Sequence, residues 1–363
     1  MALISKIILY LLAISFAFGQ LARINIFNTS IPIVDFLILA LVFFNLLGYY
    51  RVKHLKITNK PLLFFLLFAW ISFGINLIIH HYPPLKPLLY LLRLTGLLSL
   101  FILPLNKKLL SQKFHLFLSI ALIANIIFGF IQYFFWPDFT YFETFNWDPH
   151  LYRLVSTFFD PTFTGLIYLL FFIKIFLSPT KNKVFKYFLL IITYLAMSLT
   201  YSRSSLLAFW LTSLFVSFRL KKPIISAIST ILIILTIILL PRQPGEGTRL
   251  QRTSSVKAKI ENYQEGVSVF LKSPIIGHGY NNLYYVREVR NPVSHANFGF
   301  DSSLLTILSA TGIIGFILFI LGLKKTFISS TPILQTELVA VLIHSLFSNS
   351  LLYPWILTLL LLN

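Results

Sequence analysis

Apolar residues in this chain fall in long unbroken runs separated by short polar breaks. The runs lie near 4–22, 31–50, 62–80, 85–105, 114–136, 162–178, 185–201, 204–219, 223–240, 302–323, 333–349 and 351–362, the last one short. "PIVDFLILALVFFNLLGYY" (32–50) and "PIISAISTILIILTIILLP" (223–241) are long enough to cross a hydrocarbon core about 30 Å thick. Within lipid every backbone polar group needs an internal partner, which a helix supplies. The pattern predicts an all-α polytopic membrane protein, about 12 transmembrane helices forming one integral membrane domain over 1–363. The first run has no small-residue cleavage site and is read as a retained span.

The breaks alternate in charge. "RVKHLKITNK" (51–60) carries four basic residues; 106–113, 179–186 and the turn "RLKK" (219–222) carry three each, and 324–325 two. With the N-terminus inside, all five fall on one side. The opposite short breaks hold little beyond Arg23 and Lys86. Basic residues favour the cytoplasmic side, so both termini are expected inside. Two longer segments then lie outside, 137–161 and 241–301, the latter between spans nine and ten. In 256–274 the residues Ile260, Tyr263, Val267 and Phe270–Leu271 recur at helical spacing, which predicts an amphipathic helix on or near the outer membrane surface.

Composition sharpens this picture. Only 11% of residues are charged, mean hydropathy is +0.83, and the net charge is +19. On a soluble chain such a charge would suggest nucleic acid; here it is accounted for by basic cytoplasmic loops and anionic lipid, and no nucleic-acid partner is expected. There is no Cys, so disulfides are excluded. Acidic clusters with Mg²⁺-ligand spacing are lacking, so neither metal nor cofactor is expected.

Charges inside apolar sequence need a reason. Arg203 sits in "LTYSRSSLLAFW" (199–210), at the turn between spans seven and eight. It is either an interfacial anchor, its charge snorkelling to water, or an anion site: Thr200, Ser202, Ser204 and Ser205 surround it with hydroxyls, and a helix opening at Ser204 would add free backbone N–H groups. Arginine matches phosphate through a planar fork. Arg153 and, in the larger loop, Arg249 and Arg252 could converge on the same place. Arg93, within span four, is the costliest charge by position and faces either a structural partner or the ligand cavity. Lys174 is expected to snorkel, His278 to belong to a turn, His344 to be a satisfied bundle histidine, and Asp160 to cap span six.

Four stretches together resemble the O-antigen ligase and O-antigen polymerase superfamily of bacterial membrane glycosyltransferases. They are "RLVSTFFDPTFTGLIYLL", "LTYSRSSLLAF", "YQEGVSVFLKSPIIGHGYNNL" and "DSSLLTILSATGIIGFILFI", in that order over roughly 120–325. The resemblance implies a multi-pass protein of the bacterial cytoplasmic (inner) membrane. Its donor would be a glycan on undecaprenyl pyrophosphate, and its acceptor a glycan or glycolipid at the outer face. Arg203 and Arg153 match arginines of the first two motifs and are expected at the pyrophosphate. Arg249, Arg252 or the nearby lysines could stand for a third that the family carries ahead of the amphipathic helix. Ligases of this kind have His-Asn about eleven residues before the glycine of the last motif. Here that place, eleven residues before Gly312, holds Asp301, with His295 six residues earlier. The general base is therefore His295 or Asp301, and the Asp-Ser form is closer to polymerases than to ligases. A transporter or flippase of lipid-linked saccharides is the rival reading. It explains a cationic cavity but not a structured external loop, and the chain shows no repeated halves.

Overall fold

The computed structural model describes residues 2–26, 29–52, 57–103, 105, 109–145, 147–288 and 298–362. The chain is mostly helical. Each of the twelve apolar runs carries a helix: α1 (Ala2–Phe18), α2 (Ile33–Val52), α3 (Lys60–His80), α4 (Leu85–Ile102), α5 (Gln112–Phe135), α6 (Pro161–Leu177), α7 (Lys183–Ser198), α8 (Arg203–Leu220), α9 (Pro223–Leu239), α12 (Ser303–Ser329), α13 (Pro332–His344) and α14 (Pro354–Leu362). The larger loop adds α10 (Ser254–Lys272) and the single turn α11 (Leu283–Val286). Among the described residues, five helical segments are long and apolar enough to cross a membrane: Leu3–Leu21, Lys60–His80, Leu85–Ile102, Gln112–Phe135 and Ser303–Ser329. Ile33–Gly48, Pro161–Leu177, Pro223–Leu239 and Pro332–His344 are shorter apolar helices. These helices define an integral membrane protein.

Local chemistry sets the helix starts. Prolines stand at the first positions of α3, α6, α9 and α13, where a missing N–H costs nothing. Asn59, Ser111, Asn182 and Thr331 cap α3, α5, α7 and α13 by accepting a backbone N–H. Between α1 and α2 the chain forms a small antiparallel hairpin, β1 (Arg23–Ile26) and β2 (Thr29–Pro32), with Arg23 opposite Pro32. Arg23 donates to Ser30 Oγ at 2.7 Å and to Gln20 Oε1 at 2.6 Å, so this expected loop charge is held in place.

The short α14 is not a lipid-facing span. Its nine residues rise about 14 Å, and nearly all are buried. Trp355 is fully enclosed, with ring centroids 5.2 Å from Phe16 and 5.5 Å from Phe158. It closes the core between α1 and the turn that precedes α6. Lys174 does not reach for water: its Nζ lies 3.2 Å from His115 Nδ1 on α5. Arg93 pairs through Nε and Nη2 with Asp35 of α2, and its guanidinium lies 4.8 Å from the Tyr90 ring centroid. Of the two readings for Arg93, the structure shows the structural partner.

A cationic cavity at the loop face

The cavity is built from three of the sequence motifs. The hairpin between α7 and α8 supplies its floor. Tyr201 turns the chain at φ +52° and is fully buried, its hydroxyl donating to Pro241 O at 2.8 Å, which pins the start of the larger loop. Ser202 caps α8 by accepting from Ser205 N at 3.3 Å, so the helix opens one residue earlier than the sequence suggested. Arg203 opens α8. Its guanidinium reaches the larger loop, donating to Arg252 O at 2.9 Å and Ser255 Oγ at 2.6 Å.

The segment before α6 supplies a wall. Leu154 N donates to Leu199 O at 2.9 Å, and Arg153 Nε donates to Thr200 O at 3.0 Å, which ties this segment to the hairpin. Asp160 caps α6 as expected, accepting from Thr162 N at 2.6 Å and Phe163 N at 3.2 Å. Gly165 lets α6 approach the turn, since a Cβ there would lie 2.6 Å from Ser205 Oγ. Two α5 residues that the sequence reading passed over hold the wall in register. Gln132 donates to Arg153 O and accepts from Val155 N and Ser156 N; Asn125 donates to Thr157 Oγ1 and accepts from Ser156 Oγ. They stand seven residues apart in an apolar helix, hence on one face two turns apart. That spacing was the available signal.

The helix α10 supplies the roof. It packs its Gly266 and Val269 face on α12: a Cβ at Gly266 would meet the Leu305 side chain at 2.3 Å, and Ser309 Oγ donates to Gly266 O at 3.1 Å. Its apolar residues Val256 and Ile260 turn toward the cavity, while Val267 and Leu271 stay exposed, as suits a helix lying at a lipid surface. The turn after α10 interlocks with a break in α12. Gly277 (φ +69°) and Gly312 (φ +62°) lie against each other's backbones, so a Cβ at Gly312 would stand 2.2 Å from Ile275 O. His278 N donates to Ser309 O, Gly279 N to Ala310 O and Ile313 N to Pro274 O. His278 belongs to this turn, its ring Nε2 2.8 Å from Val269 O. Arg287 clamps the loop from behind, donating to both oxygens of Glu265 at 3.0 and 2.6 Å and to Gly299 O at 2.7 Å.

The space is about 470 Å³ and half open to the outside. Arg153, Arg203, Arg252 and Lys259 line it together with apolar Leu207, Val256 and Ile260. No carboxylate lines it among the described residues. Arg153 is only 9% exposed; burial first, then the neighbouring Arg252 and Arg203, pull its pKa down to about 9. Arg252 is lowered in the same way, by burial and then by Arg203. Cations crowded into a partly dry space repel each other, and an anion relieves that repulsion.

Not every expected residue is here. Arg249 is exposed and lies outside the lining. Arg93 is held by Asp35 away from it. Asp301 stands at the rim, its Oδ2 3.1 Å from Lys259 Nζ, which also donates to Phe347 O at 2.5 Å. His295 lies outside the described residues. Beneath the floor, His344 contacts Ser204 and Ser205, a connection that nothing in the sequence pattern announced.

A helical integral membrane protein with a half-open cationic cavity under a loop helix is the class this geometry defines. Residues 188–320 match the family model described as O-antigen ligase, and that match supports the O-antigen ligase and polymerase superfamily. The matched stretch runs from α7 through the hairpin, α10 and the Gly277–Gly312 interlock into α12; the Arg153 segment precedes it. No curated protein matches the chain.

Proposed function

We propose that this protein is a glycosyltransferase that moves or polymerises a glycan from undecaprenyl pyrophosphate onto an acceptor sugar at the outer face of the cytoplasmic membrane. One observation carries the reading: a single cavity combines Arg153, Arg203, Arg252 and Lys259 with the apolar side chains of Leu207, Val256 and Ile260. A lipid-linked pyrophosphate has this dual character, a multiply charged head joined to a hydrocarbon tail. The basic breaks between the other helices support an outward-facing cavity.

In the reaction the acceptor hydroxyl oxygen attacks the anomeric carbon of the donor sugar. The bond from that carbon to the pyrophosphate oxygen breaks, and the lipid pyrophosphate leaves with the electron pair. Arginines aimed at the oxygens where charge grows favour this step. Arg203 and Arg153 take that role, and Arg252 is the third cation, in preference to Arg249. The hydroxyl proton goes to a general base. Asp301, at the rim and oriented by Lys259, is the carboxylate the geometry favours for it. The Asp-Ser pair at this place favours the polymerase.

The test is to incubate purified protein with an undecaprenyl-pyrophosphate oligosaccharide and resolve the products by size. A ladder of longer lipid-linked glycans is expected. Transfer only on addition of a different acceptor would make it a ligase. Neither product, from folded protein, would overturn the reading in favour of transport. Asp301→Asn is expected to lower turnover on the order of 100- to 10,000-fold; unchanged turnover would remove Asp301 as the base.

A further inference from the structure

His344 ends α13 and is completely buried directly beneath the cavity. Its Nε2 lies 3.0 Å from Ser204 Oγ and 3.2 Å from Ser205 Oγ, and its Nδ1 lies 2.6 Å from Ser350 Oγ. Ser204 lines the cavity beside Arg203. An imidazolium here would add a further buried positive charge beside those already lining the cavity, so the neutral ring is the form to consider. A neutral ring has one donor and one acceptor nitrogen.

The distances assign the two roles. A separation of 2.6 Å suits a hydroxyl donor, whereas N–H donors cluster near about 2.9–3.0 Å. Ser350 therefore donates to Nδ1, which places the ring hydrogen on Nε2. That N–H faces Ser204 and Ser205, at 3.0 and 3.2 Å, with the Thr162 carbonyl as a further acceptor. Ser204 Oγ then receives a hydrogen bond from below, and its own O–H is released to donate elsewhere. Two directions are open to it: Ser202 Oγ, 3.1 Å away, and the cavity.

We propose that His344 is a positioning residue: by donating to Ser204 from beneath, it turns the Ser204 hydroxyl into the cavity to donate to a phosphate oxygen of the bound ligand. This rests on the reading of the cavity as a pyrophosphate site, and it adds a neutral donor to the arginines there. With the cavity empty, the same hydroxyl turns back to Ser202. Ser350 sets the ring tautomer and so belongs to the same device.

The experiment is calorimetric titration of inorganic pyrophosphate into detergent-purified protein. Variants are Arg203→Ala, Ser204→Ala, His344→Asn, His344→Gln, Ser350→Ala and the double variant Ser204→Ala/His344→Asn. A glutamine amide nitrogen falls near the position of Nε2, an asparagine nitrogen near Nδ1. Ser204→Ala and His344→Asn are each expected to weaken binding about tenfold, the scale of one hydrogen bond to a charged group. The double variant should be no weaker than Ser204→Ala, and His344→Gln should recover most of what His344→Asn loses. Wild-type affinity in His344→Asn, or a further loss in the double variant, would overturn the inference while leaving the pyrophosphate site standing. If wild type binds no pyrophosphate, or Arg203→Ala binds it as well as wild type, the site itself fails and the inference with it. If the His344 variants do not fold, Ser350→Ala decides: weaker binding is expected, and unchanged binding refutes the role.

Discussion

At the scale of single residues, Arg203 is held as a fork. Its Nη1 donates to the Arg252 carbonyl and its Nη2 to Ser255, which fixes the guanidinium plane at the cavity wall. Lysine carries the charge but not that planar geometry. Arg203→Ala and Arg203→Lys are both expected to lower transfer on the order of 100- to 1,000-fold, with membrane insertion unchanged; full activity in Arg203→Lys would remove the argument from the fork. Arg153 gives a pH dependence with a definite sign. Burial and neighbouring cations hold it near 9 in the empty cavity, and a bound anion raises it again. Pyrophosphate binding should therefore weaken as pH rises through about 9 and should take up protons near that pH. Calorimetry in two buffers of different ionisation heat measures both. The sequence placed Arg153 and Arg203 at one site by motif. For Gln132 it offered only the seven-residue spacing from Asn125, and for the contact of His344 with Ser204 nothing, because their work depends on neighbours from other helices.

At the scale of elements, the Pro-Ile-Ile-Gly-His-Gly turn and the broken α12 are one joint. Each glycine sits where the other backbone leaves no room for a Cβ, and both have positive φ. Gly312→Ala combines left-handed strain with a backbone clash and is expected to cost on the order of 3–5 kcal/mol. It should appear as a large fall in melting temperature, not as a selective loss of turnover; a stable, inactive Gly312→Ala would instead make the joint catalytic. The Glu265–Arg287 pair holds the same loop from behind. Removing either partner leaves a buried charge alone and should cost about 3–5 kcal/mol, with the loss read as proteolysis within 241–301. Glycines at motif positions were visible in the sequence, but their shared contact was not, since the two stretches meet only in the folded chain, where α10 packs on α12 and Ser72 and Asn76 of α3 donate to the turn.

At the scale of the whole molecule, the arrangement of helices with respect to the membrane is open to a direct measurement. The chain lacks cysteine, so single introduced cysteines can be labelled without background. Lys257→Cys on the exposed face of α10 is expected to react with a membrane-impermeant maleimide added outside intact cells. Lys181→Cys and Lys222→Cys, in two basic breaks, are expected to react only after the membrane is opened. The reverse pattern would turn the cavity toward the cytoplasm and exclude an outer-face transferase. The α14 helix shows how far the run pattern can be pressed. Its composition is that of a span, yet it is short and buried around Trp355.

By itself the sequence determined the helical membrane class, because backbone groups in lipid leave the chain no other local solution and the long apolar runs are local features. It also marked Asp160 as the cap of α6, the turn at "YSRSS" and an amphipathic helix within 256–274. Only the tertiary structure decided which charges meet. Arg93 and Arg153 are both arginines in or beside apolar segments. One finds Asp35 across a helix contact; the other finds a cavity with further cations. Ion pairing and burial act over a few ångströms in space, between residues tens or hundreds of positions apart. No periodicity along the chain records that distance.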